Sequence, residues 1–447
     1  MRRLIEGNIY KTFILFAIPI VLSGLLTQSS QLINTMIAGR FLGSDGLAAV
    51  GAGSGFITLI SSASWGYTNG VCIYLAQLFG SGDVKRFKTA AYNFLAFSVA
   101  LLLVLSVISI ALRYPILRLL NTDERVLDDA ATYFAIYIGG LPLSLITFAF
   151  TCVLHALGVS AFPLIVSLLT GFLHVFGNLL AVGTWGLGIV GLAAVPAVTG
   201  LISCALLWWQ LHRYFIKLRV ENEKVVWGFA DTREALRFSL PTIAQQMTMY
   251  FASFLISPFV NVLGSSATAG FSVVMRFFEI NTGVYQNSSK TLTNYVAQSV
   301  GAGQSQNLRR SVRVGFLQGF LLSAPFVVVS AVFAEPICRL FFGTVPDNTA
   351  MTYAVDFARI FLPFAMVNLL NNLFHAFCRG IGAMKLLYIA TSFGAVTRIL
   401  LTVWLAPLYG MNGIYLAWVI SWGLEATLDV ILYVSGSWKK ALPKPAA

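Results

Sequence analysis

Apolar runs of about 20 residues, the length that crosses the hydrocarbon of a bilayer as a helix, recur along the whole of this 447-residue sequence. Short polar stretches with glycine, proline or clustered charge separate them. Runs long enough to span predict about twelve helices. The first six lie at 12–40, 48–78, 87–112, 127–155, 161–184 and 188–215. The second six lie at 234–262, 267–299, 310–333, 350–377, 384–407 and 411–434. Several exceed the thickness of a bilayer, which calls for tilt or for extension into water.

Composition narrows the class. With 57% of residues hydrophobic, 10% charged and a mean hydropathy of +0.80, too few polar side chains remain to cover a water-facing surface. Soluble domains carry about 25% charged residues. The expected fold is an all-α polytopic membrane protein.

The net charge of +12 raises nucleic acid as a partner, but the charges are spaced otherwise, and none is expected. Lys and Arg gather in alternate short loops. Twenty fall on one side, among them Lys85, Arg86, Lys88, Arg213, Lys217, Arg309, Arg313, Arg379 and Lys385, with only Arg40, Arg113, Arg118, Arg125 and Arg339 on the other. The positive-inside rule then places both termini and the central connector in the cytoplasm, the chain lying in the inner membrane. The five cysteines are scattered through or at the ends of apolar segments. They form no metal-ligand spacing or disulfide framework and read as small apolar fillers. Met1-Arg2-Arg3 precedes an apolar helix with no small-x-small cleavage site, so this reads as a retained first span.

The pattern also repeats. Leu42-Gly43-Ser44 and Gln77-x-x-Gly80-x-Gly82 return as Leu263-Gly264-Ser265 and Gln298-x-x-Gly301-x-Gly303, at a constant offset of 221. Leu141-Pro142 returns as Leu362-Pro363, His155-Ala156 as His375-Ala376, and Gly188-x-x-Gly191 as Gly410-x-x-Gly413. Five landmarks in one order mark two copies of a single unit. Six spans per copy is an even number, so the copies run parallel about an axis along the membrane normal. That architecture implies a central cavity between lobes, with the substrate site near the midplane. The expected lobes are 1–215 and 233–436, joined by a cytoplasmic connector at 216–232 and followed by a tail at 437–447.

No Walker-type Gly-x-x-x-x-Gly-Lys is present. The Gly-x-Gly pairs at 80–82 and 301–303 follow helices, and read as left-handed helix caps. No nucleophile–base pair suggests an intramembrane enzyme, and no filter sequence or charged ring suggests a channel. A carrier with two rocking lobes fits best.

The motifs then resemble one family. Asn34-Thr-Met-Ile-Ala-Gly39-Arg40-Phe-Leu-Gly43, followed by Ala48-Ala49-Val50-Gly51, is similar to the first-helix exit of the multidrug and toxin extrusion (MATE) family. Gln77-x-x-Gly80-x-Gly82-Asp83 and Gln298-x-x-Gly301-Ala302-Gly303 resemble its second- and eighth-helix exits. Arg398, Gly413, Trp418 and Ser421-Trp422 resemble its last two helices. The resemblance implies export of organic, often cationic, solutes against an inward flow of H⁺ or Na⁺. Lipid-linked oligosaccharide flippases share the fold.

The chain departs from the family at the acids that couple ions. Where many prokaryotic members carry Asp, this chain has Asn34 in the first span and the stretch Asn178-Leu-Leu-Ala-Val182 in the fifth. The seventh span offers Gln245 and Gln246, and the tenth offers Asn368, Asn371 and Asn372. The family's usual coupling residues therefore do not carry over.

Other intramembrane polar groups become the candidates, since a charge at mid-bilayer costs about 2.5–3.5 kcal/mol and needs a partner or a wet cavity. In the eighth span Arg276, Glu279, Gln286 and Lys290 share one face. Glu279 is a candidate protonatable group and Lys290 an anion contact or internal cation. The plainer alternative is an Arg276–Glu279 ion pair that fixes packing, with Lys290 snorkelling to an interface. In the first copy, Asn34, His174 and Asn178 are the polar set. Imidazole titrates nearest neutral pH, although a hydrogen-bonded packing histidine is the simpler reading. His155 and His375, being repeated, read as a shared structural cap. Arg398, Glu425 and Asp429 read as a structural ion-pair set, with Arg398–Glu425 locking the last two spans and a second proton site as the sharper alternative.

The sequence thus reads as a secondary active antiporter exporting organic, drug-like solutes against H⁺ or Na⁺, with no cofactor and a monomeric, lipid-embedded form. The alternative is a flippase for a lipid-linked or anionic substrate on the same fold. A non-transporting receptor or scaffold is the weaker third.

Overall fold

The computed structural model describes residues 4–342 and 348–442. In the first half lie α1 (Ile9–Ala52), α2 (Ser54–Ser81), α3 (Val84–Ala111), α4 (Arg113–Leu119), α5 (Leu127–Ala156), α6 (Ala161–Asn178) and α7 (Gly188–Lys217). In the second lie α8 (Ala230–Asn261), α9 (Ser265–Gly301), α10 (Leu308–Val332), α11 (Ala334–Phe342), α12 (Asn348–Phe361), α13 (Ala365–Ile381), α14 (Met384–Tyr409) and α15 (Met411–Val434). Every one of the twelve expected spans is helical. The short α4 and α11 sit at matching places, after the third span of each copy. Among the described residues nine helices are long and apolar enough to cross a membrane. The other three spans, α2, α8 and α9, run 28, 32 and 37 residues but are more polar.

The repeat is visible in the backbone. Gly43 and Gly264, the glycines of the two Leu-Gly-Ser motifs, both sit at positive φ (+68° and +100°), a region a side chain at Cβ disfavours. Gly82 closes α2 as the expected left-handed cap, its N–H donating to the Phe79 carbonyl at 3.2 Å.

The copies differ at their proline landmarks. Pro142 lies inside an unbroken α5. Its counterpart Pro363 sits in a short 3₁₀ turn, Leu362–Phe364, that divides the tenth span into α12 and α13. A second irregularity follows Asn178, where Leu179–Thr184 winds as a π-helix, a geometry found mostly at functional places.

The chain forms two compact units, Leu22–Ile243 and Leu4–Val21 with the residues from Ala244 onward. This division differs from the expected lobes, because α1 and α8 each contribute to both units. In the first unit, Gly66 and Gly70 of α2 let α8 approach until their Cα hydrogens face its backbone. A Cβ at Gly66 would stand 2.7 Å from the Cα of Ile243, and one at Gly70 would collide with the backbone of Ser239. Small residues four apart let helices meet this way in membranes. In the second unit the start of α1 packs on α9. The Phe13 and Tyr295 rings lie 5.1 Å apart, and the Leu4 N–H donates to Gln298 Oε1 at 2.8 Å.

The connector is tied to the first unit. Lys88 of α3 is buried, and its Nζ donates to the carbonyls of Val220, Glu221 and Glu223, each at 2.8 Å. Asn93 donates to Val226 at 3.0 Å, and Arg86 reaches Asp231 and Glu234 at 3.0 Å each. The exposed ion pairs add little, whereas the enclosed ammonium satisfies three carbonyls at once. Lys88→Met is therefore expected to destabilise the protein by about 2–3 kcal/mol through carbonyls left without donors. Thermal unfolding followed by tryptophan fluorescence reads this; an unchanged midpoint would show that the connector is held by other contacts.

At the carboxyl end, the expected tail begins as a docked turn. Trp438 is buried beside Phe377, with ring centroids 5.1 Å apart, and its indole N–H donates to the Tyr433 carbonyl at 3.0 Å.

Candidate functional site

Among the described residues, a dense group of buried ionisable side chains lies inside the second unit, on α13, α14 and α15. On α13, Asn368, Asn371 and His375 recur at three- and four-residue steps and so share a face. On α15, Trp418, Ser421, Glu425 and Asp429 do the same. Between them α14 presents Arg398 and, one turn earlier, Gly394.

Burial is nearly complete: His375 is 5% exposed, Arg398 4%, and Glu425 and Asp429 3% each. His375 Nε2 stands 3.4 Å from Glu425 Oε1 and 3.8 Å from Asp429 Oδ2. The Asn371 amide donates to Glu425 Oε2 and to the Trp422 carbonyl, both at 3.2 Å. Glu425 also fills the space where Gly394 has no side chain, and a Cβ there would collide with its carboxylate. Asp429 is seated differently, because neither of its oxygens has a hydrogen-bond partner among the described residues.

Arg398 departs from the expected pairing. Its Nε donates to Ser421 Oγ at 3.4 Å and its guanidinium lies 4.5 Å from the centre of the Trp418 ring. Among the described residues no ion pair joins it to Glu425. The indole face and hydroxyl stabilise the cation by cation–π attraction and one hydrogen bond, while Glu425 turns to Asn371 and His375. His375 was expected to be a structural cap, yet it faces two carboxyls. The signal available in the sequence was a break in its internal symmetry. By the offset of 222, the first copy has Ser203 and Leu207 where the second has Glu425 and Asp429.

An amide–hydroxyl network lies beside this group. Asn368 donates to the buried Tyr285 hydroxyl at 2.9 Å, and Tyr285 and Thr282 hydroxyls are 2.9 Å apart. Nearby, aromatic rings of α9 and α12, among them Phe278, Phe357 and Phe361, pack on Tyr415, Trp418 and Trp422 of α15 at centroid distances of 4.1–6.5 Å, which fixes α15 against these neighbours.

The remaining candidates are scattered over both units. In the first, Asn178 is fully buried and its amide donates to Asn34 Oδ1 at 2.9 Å. His174 is half-buried one turn before it. Neither partner of this amide pair can carry a charge. In the second, Gln245 is buried and accepts from Arg379 at 3.4 Å. Glu279 is exposed and lines a cavity of about 290 Å³ with Ser257, Asn261, Thr268, Ser272 and Met275. Gln286 is exposed, and Lys290 donates to Asn287 at 2.8 Å. The side chain of Arg276 lies outside the described residues.

Twelve helical spans in two repeated sets, with ionisable groups enclosed among them, define a polytopic membrane carrier. The MatE family model matches residues 19–180 and 241–404, one block in each copy, and the chain belongs to that family, the MATE transporters. It is 26% identical over 345 residues to the probable multidrug resistance protein YoeA of Bacillus subtilis, covering 75% of this chain and 74% of that one. It is 25% identical over 441 residues to the probable multidrug resistance protein YpnP of the same organism, covering 97% of both. Its fold is that of the Vibrio cholerae MATE transporter VcmN in the bent form. The TM-score is 0.86 at 16% identity, over 97% of each chain.

Proposed function

We propose that this protein is a secondary antiporter that exports organic, drug-like solutes across the inner membrane in exchange for inward-moving H⁺ or Na⁺. The observation that carries the reading is the set of ionisable side chains enclosed within the membrane-spanning helices of the second unit. A group that changes charge inside a membrane gives an ion gradient something to act on, and a differential effect on two states is what drives alternating access. The polar spans α2, α8 and α9 supply surfaces that suit a wet solute path better than lipid. The excess of Lys and Arg on one side supports cytoplasmic termini. The names of the two Bacillus relatives support a drug-like substrate, by analogy.

The test is accumulation of a fluorescent organic cation in proteoliposomes of the purified protein, with H⁺ and Na⁺ gradients imposed separately. Accumulation under one gradient, lost on its collapse, is the expected result. No movement under either would contradict the reading. A second reading, an anionic or lipid-linked substrate, is favoured by Lys290 on α9 and Arg379 on α13, two neighbouring helices whose Thr293 and Ala376 are hydrogen-bonded at 3.1 Å. Under it the same liposomes would move an anionic solute and not a cation.

A further inference from the structure

The side chains around His375 carry a charge count that one proton balances. Without a mobile proton, Arg398 contributes one positive charge, Glu425 and Asp429 two negative charges, and neutral His375 none. Glu425 and Asp429 lie one turn apart on the same face of α15, where like charges repel. Arg398 does not neutralise Asp429, since it is held at Ser421 and Trp418. Enclosure at 3–5% exposure makes an uncompensated charge costly. One added proton makes the group neutral.

We propose that His375, Glu425 and Asp429 together are the site that holds the coupling proton. This rests on the antiporter reading, and assigns its ion to H⁺ and its place to the second unit. An N–H bond forms at His375 Nε2, or an O–H bond at Asp429, when a proton enters from water, and the same bond breaks when it leaves on the other side. The donor and acceptor atoms stand 3.4 and 3.8 Å apart, so a shift of about 1 Å brings either oxygen to hydrogen-bonding distance. Glu425 is fixed by Asn371 and by the gap at Gly394, whereas Asp429 has no hydrogen bond to lose. Asp429 is therefore the member free to change its charge.

The ligand chemistry favours a proton over Na⁺. Hard alkali and alkaline-earth cations take all-oxygen shells, and here an imidazole nitrogen stands between the two carboxyls.

The neighbours define the electrostatic setting from every side. On α13, Cys378 is within electrostatic reach of Asp429, and Arg379 lies beyond Cys378. On α14, Arg398 is within reach of Glu425, and on α9 the Tyr285 hydroxyl is within reach of Arg398. On α10, Arg309 and Arg313 act on Tyr433, one turn past Asp429 on α15. The first copy has no counterpart, because Ser203 and Leu207 stand where the acids would be.

The proposal is tested on the whole transporter in lipid with Asp429→Asn and His375→Gln. Infrared difference spectra between acid and alkaline pH are expected to show a carboxylic C=O band and an imidazole band that titrate together. Asp429→Asn should remove the carboxylic band, and His375→Gln the imidazole band. In proteoliposomes, proton-driven accumulation of an organic cation should fall by roughly tenfold or more in either variant, within the usual range of a coupling free energy. A monodisperse elution profile and a cooperative melting transition show that each variant is folded. Wild-type difference spectra in both variants, or undiminished proton drive, would overturn the site. If the wild type accumulates no solute, the antiporter reading fails while the spectra still decide whether this group holds the proton.

Discussion

Glu425→Ala is expected to destabilise the protein by about 3–5 kcal/mol, the usual cost of removing one member of a buried, hydrogen-bonded charged set. The carboxylate accepts from Asn371 at 3.2 Å and faces His375 at 3.4 Å. Its loss removes one of the two acceptors of the Asn371 amide and a partner of His375, inside a nearly fully buried group. It also opens a hole beside Gly394. Glu425→Gln keeps the shape and an acceptor for Asn371, so its expected cost is about 1–2 kcal/mol. Unfolding midpoints of the two variants, set beside their proton-driven transport, separate two roles. A large loss of stability with full transport would make Glu425 a packing element. Loss of transport in the Gln variant, which keeps the packing, would make its charge part of the coupling.

The second large effect is in the first unit. Gly70→Leu is expected to cost about 3 kcal/mol or more, because any Cβ there meets the backbone of Ser239 and not a side chain that can swing aside. Gly66→Leu should behave likewise against Ile243. Both substitutions prise the start of α8 from α2, and with it the Ser239 hydroxyl from the Tyr67 carbonyl, now 3.1 Å away. Gly423→Ala is the control, since nothing stands within 4 Å of its added Cβ. The measurement is yield of monodisperse protein together with its melting midpoint. Equal behaviour of Gly70→Leu and Gly423→Ala would show that the close approach is dispensable.

Much of this architecture is legible in the sequence because it is local or repeated. Apolar length predicts a helix wherever it occurs: all twelve expected stretches are helical, and among the described residues nine helices are apolar enough to cross a membrane. The offset of 221 aligns Gly43 with Gly264, and both adopt positive φ. The break at Leu362–Phe364 was not legible, since its repeat mate Leu141-Pro142 sits in a continuous helix. The same two residues bend one copy and not the other, and only the surrounding packing decides.

The site was harder still. Periodicity places Glu425 and Asp429 on one face of a helix, but does not say which helix faces them. Arg398 was the obvious partner by charge, and the structure gives it Trp418 and Ser421 instead. Aromatic stacking and a hydroxyl satisfied the cation, and the carboxyls were left to α13. His375 was discounted because His155 repeats it, although its surroundings do not repeat. Likewise, nothing local in α1 or α8 reveals that each serves two units. That follows from Gly66 and Gly70 on one side and from Phe13 against Tyr295 on the other.

The most direct test of coupled exchange is the proton movement that solute itself drives. Purified protein is sealed in liposomes holding a pH-sensitive dye, with no ion gradient imposed, and an organic cation is added outside. The account predicts that inward movement of the cation expels protons and makes the lumen alkaline, and that Asp429→Asn abolishes the signal. A lumen that stays at constant pH while the cation enters would contradict proton exchange at this site.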